Sequence, residues 1–164
     1  MISTAAKVGL AVMVLTGVSL AIVLTGTHAV ASADLTKVIQ DRRQFMKGNA
    51  QNMVLINNFL EKGQGTSADV VDAADMLASN SKKIADMFPK GTGVDDGVAQ
   101  THAEMAIWKD FDGFQAAAAN MGALAAKLAA AAKSGDKATM TVQFQQLAKE
   151  GCGGCHIKFR APLQ

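Results

Sequence analysis

The 164-residue chain has no tyrosine, two prolines, two cysteines and 5% aromatic residues. Scarcity of aromatic residues and proline together with abundant alanine and methionine argues for helices over sheets. Charge of either sign is also sparse. Charged residues make up 18%, and 16 basic side chains against 14 acidic ones leave a net +2. No strong field invites nucleic acid or an acidic substrate, so nucleic acid is excluded as a partner. Both cysteines fall near the C-terminus, at Cys152 and Cys155, which rules out a disulfide framework stapling the domain. No catalytic residue set is evident.

The hydrophobic fraction of 49% is inflated by the N-terminus. Residues 1–33 carry one charged side chain, Lys7, then the apolar run 8–26, then Ala29-Val-Ala-Ser-Ala33 before Asp34. A basic start, an apolar stretch and a small-residue site describe an export signal cut near Ala33. The run is longer than the usual apolar core of such signals and, at nearly 20 residues, also long enough to cross a bilayer. Two readings stand: a signal peptide, or an uncleaved membrane anchor through residues 8–26. Both send residues 34–164 across the inner membrane to the periplasm, as a soluble domain or one tethered by its N-terminal helix.

Residues 34–164 suit one domain. A first helix is expected from Asp34 or Leu35 to about Lys62, with Val38, Ile39, Phe45, Met46, Met53, Ile56, Phe59 and Leu60 in its apolar stripe. Thr66 or Ser67 caps a second helix predicted to reach Met87. Phe88-Pro89 breaks it, and Lys90–Gly97 reads as a loop whose glycines match no phosphate-binding fingerprint. A third helix is expected from about Ala103 to Ala132 and a fourth from about Lys137 to Arg160, with Ser134-Gly-Asp136 between them. The pattern predicts an all-α, antiparallel up-down-up-down four-helix bundle preceded by the signal or anchor helix.

The chemistry lies in Cys152-Gly-Gly-Cys155-His156, the attachment signature of c-type haem. Two thiols add to two vinyl groups on one edge of a porphyrin, and His156 offers an imidazole nitrogen to the iron. In an unbroken α-helix Cys152 and His156 share a face. A redox dithiol would need a strand-helix context that is missing. Zinc would need four ligands, and within residues 34–164 only His102 remains to join these three. Gly151, Gly153 and Gly154 weaken an α-helix by about 1 kcal/mol each relative to alanine, so this end of the apo chain is expected to be loose. Spacing alone leaves Met46 and Met53, seven residues apart on one face, as rival sixth ligands or as plain core.

The extended motif Cys152-Gly-Gly-Cys-His-Ile-Lys-Phe159-Arg160, the segment Ile107-Trp108-Lys-Asp-Phe-Asp-Gly-Phe114, the loop Phe88-Pro-Lys-Gly-Thr-Gly93 and Arg42-Arg-Gln-Phe-Met46-Lys47 together resemble the cytochrome c′ family of class II c-type cytochromes. The likeness covers nearly all of residues 35–160 and is greatest to the low-spin, methionine-ligated branch. It implies one covalent haem c with its iron, His156 and Met46 as the iron ligands, and Arg42 as a propionate partner, with Arg43 as an alternative. It implies that Arg160 shields a propionate or the imidazole face, while Trp108 packs in the core against the haem plane. His102 stands where the family tends to have lysine and reads as a surface residue. A proline usual in the family is missing from Glu104-Met-Ala106.

The function implied is a mono-haem electron carrier that transforms no substrate and is not an enzyme, serving redox partner proteins. Alternatives are a five-coordinate cytochrome c′ binding nitric oxide or carbon monoxide, and a membrane-anchored haem subunit of a larger redox complex. The family often dimerises through its first two helices, so a homodimer is among the expectations.

Overall fold

The apolar stripe from Val38 to Leu60 winds into α1 (Leu24–Lys62), burying Ile39, Ile56 and Leu60. The structure, a computed structural model, describes residues 24–162, with side chains from Asp34 onward. The run 8–26 lies essentially outside the described residues, and the signal or anchor reading with it. Among the described residues no helix is long and apolar enough to cross a membrane. Asp34 is not a helix start, because α1 runs unbroken through it.

Gly63 (φ 64°) and Gly65 (φ 86°) turn the chain into α2 (Ser67–Ser81). The Thr66 hydroxyl accepts from the Asp69 N–H, while the Asp69 carboxylate accepts from the Thr66 N–H, a reciprocal cap of the helix start. This helix ends at Ser81, six residues before the predicted Met87. The Ser81 hydroxyl donates back to the Ala78 carbonyl, and such back-bonding competes with helical continuation. A short 3-10 turn (Ala85–Met87) follows.

The predicted third helix is also divided. One turn, α3 (Ala106–Lys109), stops at Asp110, whose carboxylate accepts from the Gly113 N–H and starts α4 (Phe111–Ser134). Lys158 pairs with the same carboxylate. Its hydrogen bond and the Gly113 N–H hold the Asp110 carboxyl below the usual carboxylate range. Gly135 (φ 75°) closes α4, and the Asp136 carboxylate accepts from Ala138 and Thr139 to open α5 (Lys137–Gln146).

The last helix differs most from expectation. After α5 the backbone widens into a π-helical segment (Leu147–Gly153), then tightens into α6 (Gly154–Phe159). Gly151 is buried there, and a Cβ on it would lie 3.0 Å from Leu147 and 3.3 Å from the Met121 Cα on α4. The glycine lets the π segment lie against α4.

Together α1, α2, α3–α4 and α5–α6 form an antiparallel four-helix bundle. At its centre α4 packs on α2, α5, the π segment and α6, whereas α1 packs chiefly on α2 and touches α5. Phe114 stands edge-on to both Phe88 (4.8 Å) and Phe159 (5.2 Å). There is no sheet among the described residues. One antiparallel bridge joins Ala103 to Arg160, with Glu104 donating to Phe159 and Ala161 to His102.

The loop before α3 is tightly built. Trp108 Nε1 donates to the Phe88 carbonyl (3.0 Å), and a Cβ at buried Gly93 would lie 2.6 Å from both Met105 and the Trp108 ring. The Trp108 ring is held by its bond to Phe88 and cannot yield without breaking it. Gly93→Ala is therefore expected to destabilise the protein by about 1–3 kcal/mol, as overpacking does. A urea denaturation midpoint equal to that of the parent chain would count against that.

Candidate functional site

A cavity of about 680 Å³ lies between the middle of α1 and the π segment and α6. Its size falls within the range of sites for organic cofactors. α1 contributes Arg42, Arg43, Met46, Asn49 and Met53; the C-terminal segment contributes Cys152, Cys155, His156, Phe159 and Arg160. Phe88 and Phe114 form apolar wall between them.

The cysteines are free thiols, both half-buried. Burial pushes both thiols up, Cys155 to about 11 with a further contribution from Cys152. Both are neutral at ordinary pH, the opposite of the lowered pKa of a reactive redox thiolate. Cys152 sits in the π segment, while Cys155 and His156 sit in α6, so the α-helical register assumed between Cys152 and His156 does not hold. All three still reach the same cavity. Partial desolvation, then the Arg160 charge, lower the His156 pKa, favouring the neutral imidazole that a metal requires. Among the described residues no three His, Cys, Asp or Glu side chains converge as a metal cluster, leaving the zinc reading without a ligand set.

Arg42 is 3% exposed. Its guanidinium donates to the Thr92 hydroxyl (2.9 Å), the Thr92 carbonyl (2.9 Å), the Thr101 hydroxyl (2.7 Å) and the Met87 carbonyl (3.4 Å), and stacks on Phe88 at 4.4 Å. These acceptors are all neutral. Burial lowers its pKa to about 10, so the group stays charged at neutral pH without a counter-charge among its partners. A buried, uncompensated cation on a cavity wall favours an anion within. Arg43 and Arg160 line the same cavity and are exposed.

Trp108 packs against the core, as expected, with its indole N–H on the Phe88 carbonyl, while Phe88, Phe114 and Phe159 line the cavity. One expected placement changes. His102 is half-buried and lines the cavity, because pairing of residues 102–104 with 159–161 draws it in. Asn49 and Thr101 also line the cavity, and neither was anticipated. A signal for Asn49 was present: it is a lone polar residue in the stripe between Met46 and Met53. Thr101 carried none, since its position depends on the loop path.

The donor set fits a covalent haem: two neutral thiols, an imidazole, thioethers, an apolar wall and a buried cation facing one cavity. Comparison with known proteins agrees. The family model described as cytochrome C' matches residues 37–160. A cytochrome c' of Rhodospirillum rubrum is 33% identical over 138 residues, covering 84% of this chain and 91% of that protein. A cytochrome c-556 of Agrobacterium tumefaciens is 36% identical over 103 residues, covering 62% of this chain and 79% of its own. Among solved structures, cytochrome c' from Thermochromatium tepidum superposes with a TM-score of 0.69 at 26% identity, covering 78% of this chain and 97% of that one. The chain thus belongs to the cytochrome c′ family and takes a covalently attached haem c with its iron as cofactor.

Proposed function

We propose that this protein is a periplasmic electron carrier whose haem is linked through Cys152 and Cys155 and whose iron is held by His156 and Met46. The observation that carries this reading is that a thioether on α1 and an imidazole on α6 line the same cavity as the two thiols. When bound, the haem supplies a one-electron iron couple. A thioether ligand favours the reduced state and raises the potential, which suits a carrier, and it fills the position a gas would need. Arg42, charged and with only neutral hydrogen-bond partners among the described residues, is the propionate partner. Arg43 and Arg160 hold the charged rim, and Phe88, Phe114 and Phe159 keep water from the ring. In this reading the protein passes an electron and transforms no substrate of its own.

Residues 1–33 are the export signal or inner-membrane anchor, and residues 34–164 are the haem domain. Its partners are redox proteins and a second copy of the chain. Val54 and Leu55 on α1 and Met76 on α2 are exposed, consistent with pairing through these helices.

Absorption spectra of both oxidation states, with and without carbon monoxide, test the ligation. Low-spin spectra in both states and a reduced form inert to carbon monoxide are expected. A high-spin spectrum with ready carbon monoxide binding overturns it in favour of a gas-binding cytochrome c′. Intact mass decides the rest: a retained Met1–Ala33 would make the protein a tethered subunit.

A further inference from the structure

Asn49 is a buried amide on the face of α1 that also carries Met46 and Met53. It is 7% exposed, lies one helical turn after Met46 and lines the cavity. Its Nδ2 donates to the Met46 sulfur at 4.0 Å, and its Oδ1 accepts from Asn80 Nδ2 on α2 at 2.8 Å. The direction of this chain follows from chemistry. A thioether sulfur accepts and cannot donate, so Asn49 must turn its nitrogen toward Met46. Its oxygen then faces Asn80, which must present a nitrogen in turn.

A thioether has two lone pairs. One can bind a metal while the other accepts an N–H, so a donor at the sulfur constrains which pair faces the cavity. Groups bonded to a metal ligand from outside commonly fix its orientation and tune the metal. We infer that Asn49, held by Asn80, is a positioning residue that fixes the Met46 thioether in its ligating orientation and raises the haem potential. The inference rests on the Met46 ligation proposed above. The positive end of the amide dipole disfavours the oxidised, more positive iron, so its removal lowers the potential. A methionine no longer held also yields more readily to an external ligand. A thioether is a weak acceptor, and a hydrogen bond at the weak end of the usual range corresponds to about twofold in that equilibrium.

The test uses holo-protein in four forms: parent, Met46→Ala, Asn49→Leu and Asn80→Leu, each measured for midpoint potential, spin state and carbon monoxide affinity of the reduced form. Asn49→Leu is expected to lower the midpoint potential and to raise carbon monoxide affinity about twofold. Asn80→Leu, which leaves the amide but frees it, is expected to move both in the same direction by less. If the parent is low-spin and Met46→Ala changes it, but neither asparagine variant shifts potential or affinity, Asn49 has no positioning role while the ligation stands. If Asn49→Leu does not fold, Asn80→Leu decides alone, and an unmoved potential overturns the inference. If the parent is already high-spin, or Met46→Ala leaves its spectrum unchanged, the ligation fails and this inference falls with it.

Discussion

Replacing Met46 with alanine is expected to turn a low-spin, carbon monoxide-inert haem into a five-coordinate one that binds the gas. Met46 is half-buried on the cavity wall, so truncation removes the thioether and leaves space where it stood. The size of the effect follows from population arithmetic. A site open only a small fraction of the time binds its ligand more weakly by that fraction. If methionine keeps the iron closed 99% of the time, its loss raises carbon monoxide affinity about 100-fold. Titrating the reduced protein with carbon monoxide reads this directly. Met53 is the internal control, since it lines the same cavity one helical repeat away. Were Met46→Ala to keep a low-spin spectrum and Met53→Ala to lose it, the ligand would be Met53.

The second large effect is on stability. Cys152→Ser removes one of the two anchoring thiols and is expected to lower both haem content and thermal stability. A cofactor that binds the native state and not the unfolded one contributes its binding free energy to folding. The cavity it would fill lies between α1 and the π segment and α6. A loss of about 3 kcal/mol, in the range that tight ligands supply, corresponds to a melting point lower by about 10 °C for a domain of this size. Haem per polypeptide and the thermal midpoint should fall together across a set of preparations. Full haem content with an unchanged midpoint would show that the Cys155 linkage suffices.

Much of this was legible in the sequence, for definable reasons. The Cys152–His156 spacing reports covalent chemistry, and chemistry of that kind is local. The four long helices were readable because apolar spacing repeats over many turns, and their joints because Thr66, Gly135 and Asp136 act on the nearest backbone. The α2 end escapes apolar periodicity because the Ser81 hydroxyl takes the Ala78 carbonyl of the helix itself and the Asn80 amide reaches across to Asn49 on α1. The interruption at Asp110 came from a cap that only its pairing with Gly113 and Lys158 makes evident. The π segment was invisible because it depends on Gly151 meeting the Met121 backbone on another helix. The Trp108 indole N–H closes the Phe88 carbonyl in a loop far from it in sequence. Long-range contacts of this kind leave no periodic trace.

The division of labour along α1 has a consequence for assembly. Ile39 before its midsection and Ile56 and Leu60 after it are buried against protein, while the stretch between, from Arg42 to Met53, borders the cavity. That stretch is tied to polypeptide on one side only, through Arg42 to Thr92 and Thr101 and through Asn49 to Asn80, and meets whatever occupies the hollow on the other. Maturation of the cofactor and final consolidation of that midsection become a single event, so a chain that misses its pigment should reach the right topology yet leave one wall unfastened.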